Sequence, residues 1–238
     1  MASDARKVAN CPLPRHLVAG YETFLAGRFP REQQRFRELA LEGQRPKTMV
    51  IGCCDSRVAP EAIFDAMPGE LFVLRNVANL VPPYEPDDRF HGASAALEYA
   101  VVALKVRHIV VLGHAQCGGV KAYAESMAAP DRTPLSDSDF IGDWIKLIAP
   151  AFERLGSPAR PDDPDYMRRL EFESIKQVLR HMRGFPMIRE RETRGELELH
   201  GAYFGVMDGR LLALDEDCGA FVPVAQAQHL AALADSGK

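Results

Sequence analysis

The chain has 238 residues, 47% of them hydrophobic and 26% charged, with a formal net charge of -4. This composition suits an ordinary soluble globular chain with length enough for a sizeable core. The mild acidity excludes the basic field expected of a nucleic-acid or anionic-membrane binder. No apolar run approaches the roughly 18 residues of a membrane span. Met1 to Gly20 mixes charges and prolines where a secretory signal would be apolar, so a cytoplasmic protein is expected.

In chain order, Leu17 to Leu41 reads as helical and heavily charged, with Tyr21, Phe24, Leu25, Phe29, Phe36 and Leu39 interspersed. Such an arm can hardly fold alone and is expected to pack on the core or on a second subunit. Three short, apolar, β-branched stretches follow as buried strands: Lys47 to Gly52, Leu71 to Leu74 and His108 to Gly113. Between the last two, Ala93 to Lys105 has helical spacing, with Leu97, Val101 and Leu104 on one face. Strands alternating with helices predict a mostly parallel sheet covered on both sides. Residues about 130 to 195 read as charged and mainly helical, broken by a loop at Pro158, Pro161 and Pro164. Leu197 to Leu214 reads as a strand pair with a turn at Asp208-Gly209. The fold class is therefore α/β: a mostly parallel central sheet flanked by helices, with an N-terminal helical arm and a C-terminal strand pair. No internal repeat or low-complexity segment interrupts it.

Two motifs carry chemistry, and both stand at predicted strand ends, where sites gather in open α/β sheets. Cys53-Cys54-Asp55-Ser56-Arg57 follows the first strand, and His114-Ala115-Gln116-Cys117 follows the third. Two thiolates and one imidazole form a soft set that favours zinc over hard cations, and three ligands leave one position open for a catalytic water. Cys53 and Cys54 are consecutive, so on an extended chain they point in opposite directions, and only Cys53 is assigned to the metal. An odd total of five cysteines also argues for metal or catalytic use over a disulfide framework; Cys11 and Cys218 read as structural.

Asp55 and Arg57, two apart, share the Cys53 side of an extended chain, and an Arg fork can hold a carboxylate. Such a carboxylate can accept a hydrogen bond from the activated water or swing in as the fourth ligand. Gly118 and Gly119 are expected to let the backbone pass close to the metal. The turn from Gly113 to Gly119 lacks the Lys-Ser/Thr of a phosphate loop and the glycine spacing of a dinucleotide fingerprint.

Cys53, Asp55 and Arg57 form a C-x-D-x-R pattern, and His114 and Cys117 an H-x-x-C pattern. Between them stands the block Pro68-Gly69-Glu70-Leu71-Phe72-Val73-Leu74-Arg75-Asn76-Val77-Ala78-Asn79-Leu80-Val81. On these residues the chain resembles the β-class carbonic anhydrases, densely over about residues 44 to 126. The likeness extends more loosely to Leu199-His200-Gly201 and Asp208-Gly209.

The resemblance implies reversible hydration of carbon dioxide to bicarbonate and a proton, by attack of zinc-bound hydroxide. One zinc per subunit would be held by Cys53, His114 and Cys117, with Asp55 and Arg57 as catalytic residues. Gln44 and the backbone at Gly118 would steady substrate oxygens. Phe72, Val77 and Tyr99 would wall the carbon dioxide pocket, some of them from a neighbouring subunit. It further implies a single domain over 1–238, whose arm, 1–43, makes a dimer contact. The partners would be carbon dioxide or bicarbonate and copies of the same chain, as a homodimer or higher even homo-oligomer, with no nucleic acid or membrane.

One branch of that family is regulated by bicarbonate in a pocket built with a Trp, an Arg and a Tyr. Here Val50 and Phe204 replace the Trp and the Tyr while Arg75 remains, so the chain looks like the unregulated, plant-like branch, an impression to which Val81-Pro82-Pro83-Tyr84 adds. His91 and His108 are proton-shuttle candidates by composition alone. Competing readings are hydrolysis of carbonyl sulfide or carbon disulfide on the same scaffold, and a non-catalytic structural zinc module.

Overall fold

The computed structural model describes residues 13–87, 89–129, 134 and 136–224, so Cys11 lies outside the described residues. The chain divides into two compact units, Met1–Gln44 and Arg45–Lys238.

In the first unit, the stretch read as helical forms two helices, α1 (Arg15–Ala26) and α2 (Arg28–Glu42), separated at Gly27. Phe24, Phe29 and Phe36 join them: Phe24 meets Phe29 at a ring-centroid distance of 5.7 Å, and Phe29 meets Phe36 at 5.6 Å. No residue of α1 is buried, and Leu17 and Tyr21 are more than half exposed.

The second unit is built on a six-stranded sheet in the order β2-β1-β3-β4-β5-β6. Its strands are β1 (Thr48–Cys53), β2 (Leu71–Asn76), β3 (His108–His114), β4 (Glu198–Phe204), β5 (Leu211–Asp215) and β6 (Ala220–Pro223). The first four in spatial order are parallel, and β5 and β6 add antiparallel edges. Met49, Val50 and Ile51 of β1 are essentially fully buried, as a strand covered on both faces requires.

The helices of this unit are α3 (Pro60–Ile63), α4 (Gly92–Glu98), α5 (Gly118–Ala128), α6 (Phe140–Ile145), α7 (Ala149–Leu155), α8 (Pro164–Arg183) and α9 (Pro186–Thr193). Helix α8 begins where the proline-rich loop ends. Pro164 takes its first position, and the Asp163 side chain accepts from the Asp165 and Tyr166 N–H groups as an N-cap. The ten buried residues of α8 include Leu170, Ile175, Val178 and Leu179. Ile175 approaches β3 so closely that a methyl group at Gly113 would lie 2.5 Å from its Cδ1 atom. On the other face of the sheet a smaller cluster forms from Val50, Leu112 and Ala202, flanked by Phe64, Val110 and Phe204.

Two elements depart from the sequence reading. The helix expected over Ala93 to Lys105 is α-helical only to Glu98 and then widens into a π-type turn, Tyr99–Ala103. There the Leu104 N–H reaches back to the Tyr99 carbonyl at 3.0 Å, and Lys105 ends the element at φ 57°. At the C-terminal end, β4 is the fourth parallel strand of the main sheet rather than half of an isolated pair, and β6, not anticipated, completes the edge. Alternation alone marks a strand but not its partner. Among the described residues no helix is long and apolar enough to cross a membrane.

Candidate metal centre and active site

Strands β1 and β3 are parallel neighbours in register, Gly52 opposite Leu112, so the chain leaves both at one end of the sheet. Cys53 and His114 are the last residues of those strands, and Cys117 is the N-cap of α5. The two sulfurs and one imidazole nitrogen all lie within 4.8 Å of one another. Cys53, His114 and Cys117 are only 5%, 1% and 2% exposed, whereas Cys54 turns out to solvent, as strand alternation requires.

Burial of polar groups is costly unless each finds a partner. His114 Nδ1 lies 2.9 Å from the Ala115 carbonyl, a contact that assigns the proton to Nδ1. His114 Nε2 is left buried without a hydrogen-bond partner. A lone pair so placed beside two sulfurs is what a borderline-soft divalent cation would satisfy, and the donor set fits one.

The protein groups alone already favour charge here. Cys53 is held down to about 4 by the hydrogen bond from Cys117, against the cost of burial, with help from His114 and the Asp55 and Ala78 N–H groups. The same hydrogen bond, together with burial, pushes Cys117 well above the usual thiol value. Burial opposes a charge on His114, but the neighbouring Cys53 thiolate outweighs it and raises the imidazole pKa, so a cation at Nε2 would compete with a proton there.

Asp55 and Arg57 pair as expected. Arg57 Nε donates to Oδ1 at 2.9 Å and Nη2 to Oδ2 at 2.7 Å, while the Arg57 backbone N–H donates to Oδ1 at 3.0 Å. This guanidinium holds the Asp55 carboxyl well below the usual carboxylate range. Asp55 Oδ2 stands 4.0 Å from His114 Nε2, at the edge of the cluster. Arg57 Nη2 also donates to the Gln116 carbonyl at 3.2 Å, tying the two motifs together. Gln116 presents that carbonyl from a left-handed backbone, φ 58°.

Four supports were not read from the sequence. Arg75, opposite Gly52 in the sheet, donates to the Cys53 carbonyl at 2.8 Å and the Asp55 carbonyl at 2.7 Å, fixing the exit of β1. The Ala78 N–H points at Cys53 Sγ, 3.3 Å away. Its turn is stapled by Asn76, whose side-chain amide bonds both the N–H and the carbonyl of Leu80 at 2.8 Å. Glu171 of α8, 4% exposed, accepts from the Cys117 N–H at 3.1 Å and the Tyr203 hydroxyl at 2.8 Å. Burial raises the Glu171 pKa. Only the Asn76-x-x-x-Leu80 staple had a local sequence signal, an Asn before a tight turn.

The remaining predicted residues are more dispersed. Gly118 has open space around its Cα, whereas a methyl at Gly119 would lie 2.8 Å from Val77 Cγ1, so the close approach falls at Gly119. It brings Val77, 37% exposed, against the start of α5. Phe72 and Tyr99 pack together at a centroid distance of 5.8 Å. Phe72 pairs with Met49, four residues before Cys53, which puts this aromatic pair about 13 Å along the strand from the cluster. Gln44 closes the first unit. A cleft of about 890 Å³ lies next to the His114 to Cys117 turn, lined by Ala115, Gln116, Arg168, Glu171, Tyr203 and Arg210 among others, but not by the three clustered ligands.

The chain is similar to known proteins. The sequence profile of the carbonic anhydrase family matches residues 48–211. Beta carbonic anhydrase 3 of Arabidopsis thaliana is 34% identical over 194 residues, covering 81% of this chain and 73% of the relative. The structure of the β-carbonic anhydrase CcaA superposes with a TM-score of 0.74 at 31% identity, covering 90% of this chain and 92% of that one. One of two tetrameric β-carbonic anhydrases from the filamentous ascomycete Sordaria macrospora gives 0.70 at 28% identity, covering 87% and 97%. The chain therefore belongs to the β-carbonic anhydrases, a family of enzymes.

Proposed function

We propose that the chain catalyses zinc-dependent, reversible hydration of carbon dioxide to bicarbonate and a proton. The observation that carries the reading is the buried, unpartnered His114 Nε2 facing the Cys53 and Cys117 sulfurs, with the Arg57-held Asp55 beside it. Cys53, His114 and Cys117 would hold the metal. Zinc, when bound, supplies Lewis-acid activation of a water for attack on the carbon of carbon dioxide.

Asp55 orients that nucleophile by accepting its hydrogen bond. Arg57 donates twice to Oδ1 and once to Oδ2, which leaves Oδ2 able to accept another bond and supports a carboxylate held off the metal rather than one swung in as a fourth ligand. The Gly118 N–H, in the first turn of α5, would steady product oxygens. The distance of Phe72 and Tyr99 from their own cysteine cluster supports a pocket completed across a homodimer, or a higher even oligomer, by the neighbouring chain. A structural zinc site would need a fourth protein ligand. Cys54, the adjacent thiol, is exposed and outside the cluster.

The two thiolates of Cys53 and Cys117 cancel the formal charge of a divalent zinc, so water activation is milder than with three neutral histidines. The hydration rate is therefore expected to rise with pH through the neutral-to-alkaline range. Stopped-flow hydration against pH, with zinc content determined on the same sample, tests this. A folded, zinc-loaded protein inert toward carbon dioxide at alkaline pH would refute the proposal, and turnover of carbonyl sulfide or carbon disulfide in its place would redirect it.

The unregulated reading has support of its own. Phe204 packs with the apolar Val50 cluster, and Arg75 spends its Nε and Nη2 on two backbone carbonyls, which supports a position poorly suited to holding an anion. Bicarbonate inhibition is expected to be non-cooperative; a steep sigmoidal curve would overturn that expectation.

A further inference from the structure

The opposite end of the same strands carries a second group of ligand side chains. His108 opens β3 and Glu198 opens β4, and the sheet register pairs these two residues directly. His200 stands two positions further along β4 and so shares the Glu198 face of the sheet. His108 Nδ1 lies 3.2 Å from His200 Nε2 and 3.6 Å from Glu198 Oε2, and His200 Nε2 lies 3.7 Å from that same oxygen. We propose that His108, Glu198 and His200 form a second divalent transition-metal site, separate from the cysteine cluster, that takes zinc, nickel or copper(II) through two imidazoles and one carboxylate.

The geometry distinguishes this from a simple hydrogen-bonded pair. A contact between the two imidazoles explains the 3.2 Å edge alone. The Glu198 oxygen is too far from either nitrogen for a hydrogen bond, yet nearly equidistant from both. Three ligands about 2.0 to 2.1 Å from a tetrahedral ion stand about 3.4 Å apart, close to all three observed edges. As the side chains stand, a point about 2.0 Å from each atom exists only in the plane of the triangle, and a small approach of these exposed side chains would let a tetrahedral ion sit above it.

The donors are nitrogen and oxygen only, a set suited to zinc, copper or nickel and poor for magnesium, which prefers oxygen throughout. The three side chains are 42%, 66% and 43% exposed, which leaves the remaining coordination positions to water. Paired β-strands give the site a rigid base.

The test is metal stoichiometry on the full chain. Protein already loaded at the cysteine cluster is dialysed against micromolar free zinc at neutral pH, and bound metal per chain is measured. Wild type is expected to bind one equivalent more than the His108→Ala/His200→Ala double variant, and Glu198→Gln to bind that equivalent at least about tenfold more weakly. Cobalt(II) serves as the spectroscopic probe: the extra equivalent should lack a thiolate charge-transfer band and persist in Cys117→Ser. Equal metal content in wild type and the double variant, or an extra equivalent carrying the thiolate band, would overturn the proposal. Thermal melts of the variants, whose changes lie at exposed strand ends, verify that the fold is intact. The outcome is independent of carbon dioxide turnover.

Discussion

Strand β3 begins at His108 and ends at His114, and the two histidines sit in opposite physical worlds. His114 is 1% exposed, with one ring nitrogen bonded to a backbone carbonyl and the other left over beside two buried sulfurs. His108 is 42% exposed and meets His200 and Glu198 in an open cluster. At the buried end, a partnerless nitrogen stands beside two close sulfurs away from water, so a cation there, as proposed, would be coupled to the fold. At the open end water can satisfy the same kinds of groups, and a metal is an addition rather than a requirement. The contrast teaches that similar ligand types meet different demands according to the depth of their surroundings.

The largest expected effect comes from removing a buried ligand. Cys117→Ser should lose the tightly held metal and lower the carbon dioxide hydration rate by at least about 1,000-fold, measured by stopped flow with metal analysis. Survival of both would break the contrast at its root. Next is Asp55→Asn, which keeps the side-chain shape but removes the charge held by Arg57. A fall of about 100-fold in kcat with unchanged zinc content is expected, and an unchanged rate would make Asp55 merely structural.

Glu171→Ala strips the Cys117 N–H and the Tyr203 hydroxyl of their buried acceptor. It should cost about 2 kcal/mol, seen as a fall of several degrees in Tm, and a melt matching wild type would show that the buried end needs no such support. The smallest effect belongs to the exposed end. His200→Ala should leave the hydration rate within about twofold of wild type, and a larger drop would mean that the two ends are coupled.

Much of the buried end was legible in the sequence because its signals are local. Apolar β-branched runs marked β1, β2 and β3, and two-residue alternation separated Cys53 from Cys54. The Asp55–Arg57 pair followed from a spacing of two. Arg75 and Glu171 could not be found that way. They reach the site from 22 and 54 residues away and bond to backbone groups, whose partners no side-chain pattern announces. The left-handed Gln116 was equally hidden, since a non-glycine residue at positive φ is held by its surroundings rather than by its own preference. The π-type turn after Glu98 escaped for a related reason: apolar spacing identifies a helical face but does not separate a 3.6-residue turn from a locally wider one.

The amino-acid sequence by itself determined the strand–helix alternation, the set of two cysteines and one histidine, and which of two adjacent cysteines faces inward. These depend on residue type and on periods of two and 3.6 residues, which are written along the chain. Only the tertiary structure decided that His114 keeps a buried free nitrogen, that Glu171 braces Cys117, and that His108, Glu198 and His200 converge. Each of these depends on strand register and on depth below the surface, quantities that arise when distant segments pack and belong to no single stretch of sequence.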